Sequence, residues 1–124
     1  MDKSQALHSF WSSFQLPAFD ENTVPNGDNK PSYPYITYDV VIGEFDEFTA
    51  MSASLWDYGS SWSTITTKLA EISAKIGKGG CIVPCDGGAL WIKMGSPFAQ
   101  RIGDSNDMIR RIYINIVVEY VTAG

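Results

Sequence analysis

The sequence predicts an α+β fold, with two helices and an antiparallel or mixed β-sheet that ends in a long C-terminal β-hairpin arm. Apolar residues recur at helical spacing near the N-terminus and again in the middle of the chain. Elsewhere, residues typical of strands alternate between apolar and polar, without a break over most of residues 108–121. The predicted order of elements is α-β-β-α-β-β-β. The length of 124 residues fits a single domain over residues 1–124.

The first helix is predicted over residues 2–14. Its apolar side chains recur at i, i+3, i+4 and i+7 and are Leu7, Phe10, Trp11 and Phe14. Asp2 suits the first turn because a negative charge there interacts favourably with the helix dipole, and Pro17 prevents the helix from continuing. Residues 15–34 contain four prolines and an Asn-Gly pair, so they predict a long surface loop.

A β-hairpin is predicted next. Residues 35–42 are rich in aromatic and β-branched residues, and Gly43 ends this strand. Residues 44–49 form an acidic turn, and residues 50–58 return as the second strand. In that strand Ser52, Ser54 and Trp56 fall on the face opposite to Met51, Ala53 and Leu55.

The second helix has the clearest signal in the chain. A narrow apolar stripe at spacings of three and four residues comprises Trp62, Ile65, Leu69, Ile72 and Ile76. Ser61 is placed to cap its start and Gly77 to end it in the left-handed conformation. The pattern places Leu69, Trp62 and also Trp91 in the core.

Residues 81–121 form the predicted arm. The strand at residues 81–85 contains Pro84, which belongs at a sheet edge or a bulge. Residues 86–88 supply a hairpin turn, residues 89–94 return as a strand, and residues 95–97 bend it. Residues 98–107 then form a polar elbow before the final strand.

The final strand is unusually long. At about 3.4 Å per residue, residues 108–121 would span about 45 Å, which is two to three times the usual length. Its apolar face comprises Ile112, Ile114, Ile116, Val118 and Tyr120. A domain of this size is not expected to cover both faces of such a strand, so we expect a neighbouring molecule to cover the rest.

Charge and composition restrict the function. The net charge of −5 disfavours a protein that grips nucleic acid, which requires a basic surface. It does not argue against a protein that lets nucleic acid pass, because a weakly acidic wall repels phosphate. No apolar run approaches the ~20 residues of a membrane span, and the N-terminus lacks the features of a secretion signal. We therefore expect a soluble protein made in a cytoplasm.

Residues with catalytic or metal-binding chemistry are sparse. His8 is the single histidine and is assigned a surface or packing role, because no carboxylate or nucleophile accompanies it in the sequence. Cys81 and Cys85 are too few for a metal site and, in an extended segment, too far apart for a disulfide, so we expect small buried thiols. Neither an enzyme nor a cofactor is expected.

A candidate subunit interface lies in the elbow and the final strand. Both signs of charge occur within a short stretch, as they would where the arginines of one subunit meet the aspartates of the next. The alternative is a solvated loop with compensating charges. The candidate residues are Arg101, Asp104, Asp107, Arg110, Arg111, Tyr113 and Glu119.

These elements resemble the tail terminator, or tail completion, proteins of long-tailed bacteriophages. The resemblance spans nearly the whole chain and rests on the order of elements and on short strings. The strings are Leu7-His8-Ser9-Phe10-Trp11, Pro34-Tyr35-Ile36-Thr37-Tyr38, Asp86-Gly87-Gly88 and Gly95-Ser96-Pro97-Phe98-Ala99-Gln100-Arg101. None of them is a chemical motif.

The resemblance implies helices packed on one side of the sheet and subunits assembled as a hexameric ring in the virion. Such a ring stops polymerisation of the tail tube, contacts the tail tube protein and the head-tail connector, and lets DNA pass through its lumen. It implies no catalytic residue. The alternatives are a head-tail stopper or head-completion connector protein of the same neck and, more remotely, a small ligand-binding or enzymatic domain.

Overall fold

The computed structural model describes residues 1–41 and 48–122, which contain two α-helices and a six-stranded mixed sheet, so the α+β class is confirmed. The helices are α1 (Lys3–Ser12) and α2 (Ser63–Ile76). The strands are β1 (Ala18–Asp20), β2 (Tyr35–Tyr38), β3 (Thr49–Tyr58), β4 (Cys81–Cys85), β5 (Gly88–Ile102) and β6 (Ile109–Thr122), and Gly27–Asn29 forms a 3₁₀ turn. Neither described helix is both long and apolar enough to cross a lipid bilayer.

The N-terminal half contains one strand more than the predicted order. β1 lies inside the predicted loop and pairs in parallel with β2, with Ala18 opposite Ile36. Its three residues are too few to produce a periodic signal in the sequence. β2 ends at Tyr38, earlier than predicted. Gly43 and most of the predicted acidic turn lie outside the described residues, while Thr49 already belongs to β3.

The C-terminal strand does not form a projecting arm. The strand order is β1-β2-β3-β6-β5-β4, so β6 lies in the middle of the sheet. It pairs with β3 from Ile109 to Val118 and with β5 on its other edge, both in antiparallel orientation. The expected long antiparallel pairing is present between β5 and β6. However, β3 of the same chain pairs with the other edge of β6. β4, which contains Pro84, pairs with β5 at one side of the sheet.

The predicted elbow is shorter than expected. β5 continues through the bend at residues 95–97 with an irregularity between Met94 and Ala99, and it ends at Ile102. The strand crowds its neighbour there, because a Cβ on Gly95 would lie 2.9 Å from the Cβ and carbonyl oxygen of Asn115. Asn115 Nδ2 also donates to the Pro97 carbonyl at 3.0 Å. The loop therefore comprises only residues 103–108.

One apolar cluster joins both helices to one face of the sheet. α1 contributes Ala6, Leu7, Phe10 and Trp11, and α2 contributes Ile65, Ile72 and Ile76. Ile112, Ile114, Ile116 and Val118 of β6 are buried, while the residues between them are partly exposed, so the predicted alternation is confirmed. Leu69 and Trp62 are only partly buried against this cluster, contrary to the prediction for a central stripe.

The helix ends follow from local chemistry. Asp2 forms a capping box with Gln5, in which each side chain accepts from the other residue's backbone N–H, at 2.7 and 2.8 Å. α2 begins one residue later than expected, with Trp62 at the cap position, but Ser61 Oγ still accepts from the Ser63 N–H at 3.1 Å. Gly77 ends α2 with a φ of 69°, a value that glycine adopts readily, although its ψ of 179° is not that of a left-handed helix.

Candidate functional site

The side of the sheet opposite to the apolar cluster is the candidate functional surface, and we call it the outer face. The strand register brings its side chains together across β2, β3, β6 and β5. The residues of the outer face are Tyr35, Thr37, Ser54, Trp56, Arg111, Tyr113, Asn115, Val117, Glu119, Trp91, Lys93 and Gln100. Trp91 therefore lies outside the core in which the sequence pattern placed it. Most of these side chains are partly exposed.

An aromatic cluster occupies one end of the outer face. Tyr35 stacks on Trp56 with a centroid distance of 6.4 Å, and Tyr33 lies 5.2 Å from Tyr35 and 5.8 Å from Tyr58. Trp56 Nε1 donates to Thr37 Oγ1 at 2.8 Å, which satisfies its N–H. Tyr58 remains 52% exposed. Aromatic side chains that are held rigidly and left accessible are typical of protein contact surfaces.

Arg111 is held in one orientation on this cluster. Its guanidinium carbon lies 4.7 Å from the Trp56 ring centroid and 5.5 Å from that of Tyr113, and its Nε donates to Ser54 Oγ at 3.0 Å. Within the described residues no carboxylate pairs with it. A fixed, unpaired guanidinium loses little conformational freedom when it pairs with an incoming carboxylate.

Arg101 and Arg110 point to the other side of the sheet, towards α2. Their guanidinium carbons lie 4.6 and 5.4 Å from the centroid of the Trp62 ring. Arg110 Nη1 donates to the Asp107 carbonyl at 2.6 Å, while its Nε is buried and has no partner among the described residues. Leaving such a group unsatisfied costs about 1–3 kcal/mol.

The acidic members of the predicted interface do not pair with the arginines. Asp104 Oδ1 accepts from the Asn106 N–H at 2.9 Å and, like Asp107, is exposed in the loop. Glu119 lies on the outer face beside Trp91, and no described group binds its carboxylate. Glu119 and Arg111 are on opposite halves of β6, roughly 27 Å apart at about 3.4 Å per residue. The structure thus divides the seven predicted residues between two faces and one loop.

His8 belongs to a polar contact on α1. Its Nδ1 lies 2.9 Å from Tyr38 Oη, and its Nε2 lies 3.2 Å from Ser12 Oγ. Burial, and secondarily the charge of Asp20, raises the pKa of the Tyr38 phenol. In residues 1–41 and 48–122, no three His, Cys, Asp or Glu side chains are grouped to hold a metal ion.

Both cysteines are free, and they are only partly buried. Burial is the main cause that raises the pKa of each thiol above its ordinary value of 9.0. Because the thiolate is disfavoured in the folded state, these thiols reduce the stability of the protein progressively as pH rises above that value.

The raised thiol pKa values predict slow alkylation. Since the thiolate is the nucleophile, we expect iodoacetamide to modify Cys81 and Cys85 more slowly in the folded protein than in urea at neutral pH. The rate in the folded protein should rise with pH. Mass spectrometry of quenched samples measures both rates. Equal rates in the folded and unfolded protein at neutral pH would contradict this interpretation.

No protein-family model matches this chain, and no curated protein resembles it at a significant level. The link to tail terminator proteins therefore rests on the sequence resemblance alone.

Two features of the site were missed by the sequence reasoning. The first is the contact of Trp56 with Arg111, which the alternation could have suggested because both residues fall on the polar faces of their strands. The second is the position of Trp62 beside two arginines. No local pattern signals that contact, because it depends on how α2 packs on β5 and β6.

Proposed function

We propose that this chain is a structural protein of a bacteriophage tail. In this proposal, copies form a ring at the head-proximal end, stop the polymerisation of the tail tube, and join it to the head connector while DNA passes through. The helices cover one side of the sheet, and the outer face is left for neighbouring copies. The observation that carries the proposal is the outer face itself, with a fixed arginine at one end and an unpaired glutamate at the other.

Opposite charges at two ends of one face suit a head-to-tail contact. If Arg111 of one copy meets Glu119 of the next, each copy uses two different surfaces, and repetition of the contact closes a ring when the rotation permits. An exposed ion pair contributes only about 0.2–1 kcal/mol. We therefore assign it the role of setting register, and we assign most of the contact area to the aromatic cluster.

The overall charge supports the same role. A net charge of −5 repels phosphate and would keep DNA from adhering to the wall of a ring. The exposed carboxylates of Asp104 and Asp107 add to this repulsion at the end of the sheet that holds the arginines. Arg111 and Glu119 replace the elbow as the charged pair of the proposed contact, because the elbow residues point in different directions.

Charge reversal tests the proposal. Arg111→Glu and Glu119→Arg are each expected to reduce self-association, because each places like charges opposite one another, and the double variant is expected to restore it. Light scattering measures the oligomer mass over a range of protein concentrations, electron microscopy shows whether rings form, and circular dichroism checks the fold.

The control is Lys30→Glu, which changes charge by the same amount at an exposed position away from the strands. The proposed contact is wrong if Arg111→Glu associates as the unmodified protein does, or if the double variant associates no better than the single ones. A protein that stays monomeric at every concentration tested, with no rings visible, would count against self-assembly as a whole.

A further inference from the structure

A second surface lies on the helix side of the sheet, where Arg101 and Arg110 share one aromatic neighbour. Arg101 of β5 pairs in register with Ile112, and Arg110 lies two residues before Ile112 on the same face of β6. The two side chains are therefore diagonal neighbours. Both guanidiniums approach the Trp62 ring, at 4.6 and 5.4 Å. The strand register and the indole ring of Trp62 hold the two positive charges close together.

The charge of this pair is not balanced by an ion pair in the described residues. The register partner of Arg110 is Asp57, but Asp57 Oδ1 accepts from the Tyr58 N–H at 2.8 Å and forms no salt bridge with either arginine. Arg110 Nη1 uses a backbone carbonyl, and the buried Nε is left without a partner. Two like charges and an unused donor together indicate a site that an anion completes.

A cleft of about 250 Å³ opens beside Arg101. Arg101 lines it together with Thr66 and borders it with the neighbouring strand residue Gln100, whose side chain the register places on the outer face. Its remaining walls are apolar, formed by Leu69, Ala99 and Ile112. A cleft of this size holds a single side chain. Its mixed lining suits a group that combines a charged end with methylene carbons.

We infer that Arg101 and Arg110 bind the carboxylate of an aspartate or glutamate side chain from a protein partner, with its methylene groups in the cleft. Arginine forks pair with carboxylates through two parallel hydrogen bonds. A nucleic acid fits less well, because the chain has a net charge of −5 and Asp57, Asp104 and Asp107 lie around the same end of the sheet. The site is complete within one copy, so it does not rest on the proposed ring.

The chain contains only three arginines, which makes a direct test feasible. In ¹⁵N-labelled protein each arginine gives one Nε–H signal, and the Arg111 signal is an internal reference because that Nε already donates to Ser54. The probe is the peptide acetyl-Ala-Glu-Ala-amide. We expect a saturable shift of the Arg110 signal, little change at Arg111, and binding at least about tenfold weaker for the matched Gln peptide, since charge-assisted hydrogen bonds are roughly twice as strong as neutral ones.

Two variants sharpen the test. Arg101 is exposed, so the Arg101→Gln variant should fold normally. It is expected to weaken binding of the Glu peptide at least about fivefold, because it removes one charge-assisted pairing. Asp57→Asn is expected to tighten binding, because it removes a competing negative charge. A weaker site in Asp57→Asn would mean that the Asp57 carboxylate supports binding rather than competing with the ligand, and it would overturn the inference.

The choice of ligand is tested separately. Inorganic phosphate and a short DNA duplex are titrated under the same conditions, and both are expected to shift the Arg110 signal less than the Glu peptide does at equal concentration. The inference is overturned if phosphate or DNA shifts that signal more than the Glu peptide does, or if the Gln peptide matches the Glu peptide.

Discussion

Replacing Trp11 with alanine is expected to lower the free energy of unfolding by about 3–5 kcal/mol, the range for truncation of a buried aromatic residue. Trp11 is 1% exposed and is among the largest fully buried side chains. Phe10 packs against it edge to face at a centroid distance of 4.9 Å. Removal of the indole would leave a cavity between α1 and the sheet, and the cost of that cavity adds to the lost burial of the side chain. Urea denaturation followed by circular dichroism measures the loss.

Trp91→Ala is the matched control, because it removes the same side chain from the outer face. Trp91 is partly exposed, and its Nε1 donates to the Gly79 carbonyl at 2.8 Å. We expect it to cost less than half as much as Trp11→Ala. If the two variants lose equal stability, the outer face is more deeply packed than its exposure indicates, and its assignment as a contact surface fails.

The comparison of these two tryptophans also shows how much of the fold can be predicted from the sequence. Helical spacing identified the buried face of α1 correctly, because period and burial are linked directly within one element. Trp91 was misplaced because alternation in a strand defines two faces without saying which one meets the helices. The pairing of Trp91 with Glu119 decides that question, and register depends on residues far away in the sequence.

The dependence of strand register on distant residues also explains why the sequence did not predict the arrangement of the candidate site. Charge clustering drew attention to all three arginines, and all three do make specific contacts. Arg110 and Arg111 lie on opposite faces because they are consecutive residues of β6. Arg101 lies on the same face as Arg110 because β5 continues as a strand through the bend at residues 95–97, where Gly95, Ser96 and Pro97 suggested an ending. Arg101 is therefore a strand residue paired with Ile112 rather than part of a loop. A local composition signal could not distinguish a bulge from a turn.

The two surfaces have different physical requirements. On the outer face, Arg111 is already hydrogen-bonded and stacked, so a partner adds one exposed ion pair to an aromatic contact. On the helix side, next to the cleft that Arg101 lines, Arg110 has a buried donor without a partner, so an anion would satisfy a group that is otherwise destabilising. In the proposed role, a subunit contacts copies of itself as well as different proteins. Two chemically distinct surfaces on opposite sides of one sheet are suited to that division.

The boundary between core and cleft on α2 can be measured with one pair of variants. Ile72→Ala is expected to lower the free energy of unfolding by about 2–5 kcal/mol, since Ile72 is 0% exposed and lies in the apolar cluster. Leu69→Ala removes a side chain of the same volume from the same helix stripe. It should cost clearly less, because Leu69 lines the open cleft and water can occupy the space that it leaves.

Urea denaturation of both variants, with the slope of the transition compared to that of the unmodified protein, gives the two values. Their difference is the informative quantity, because helix propensity changes by a similar small amount in each. A loss at Leu69 as large as that at Ile72 would mean that the apolar stripe is buried along its whole length. The cleft beside Arg101 would then be closed in solution, and α2 would have to move before any side chain could enter it.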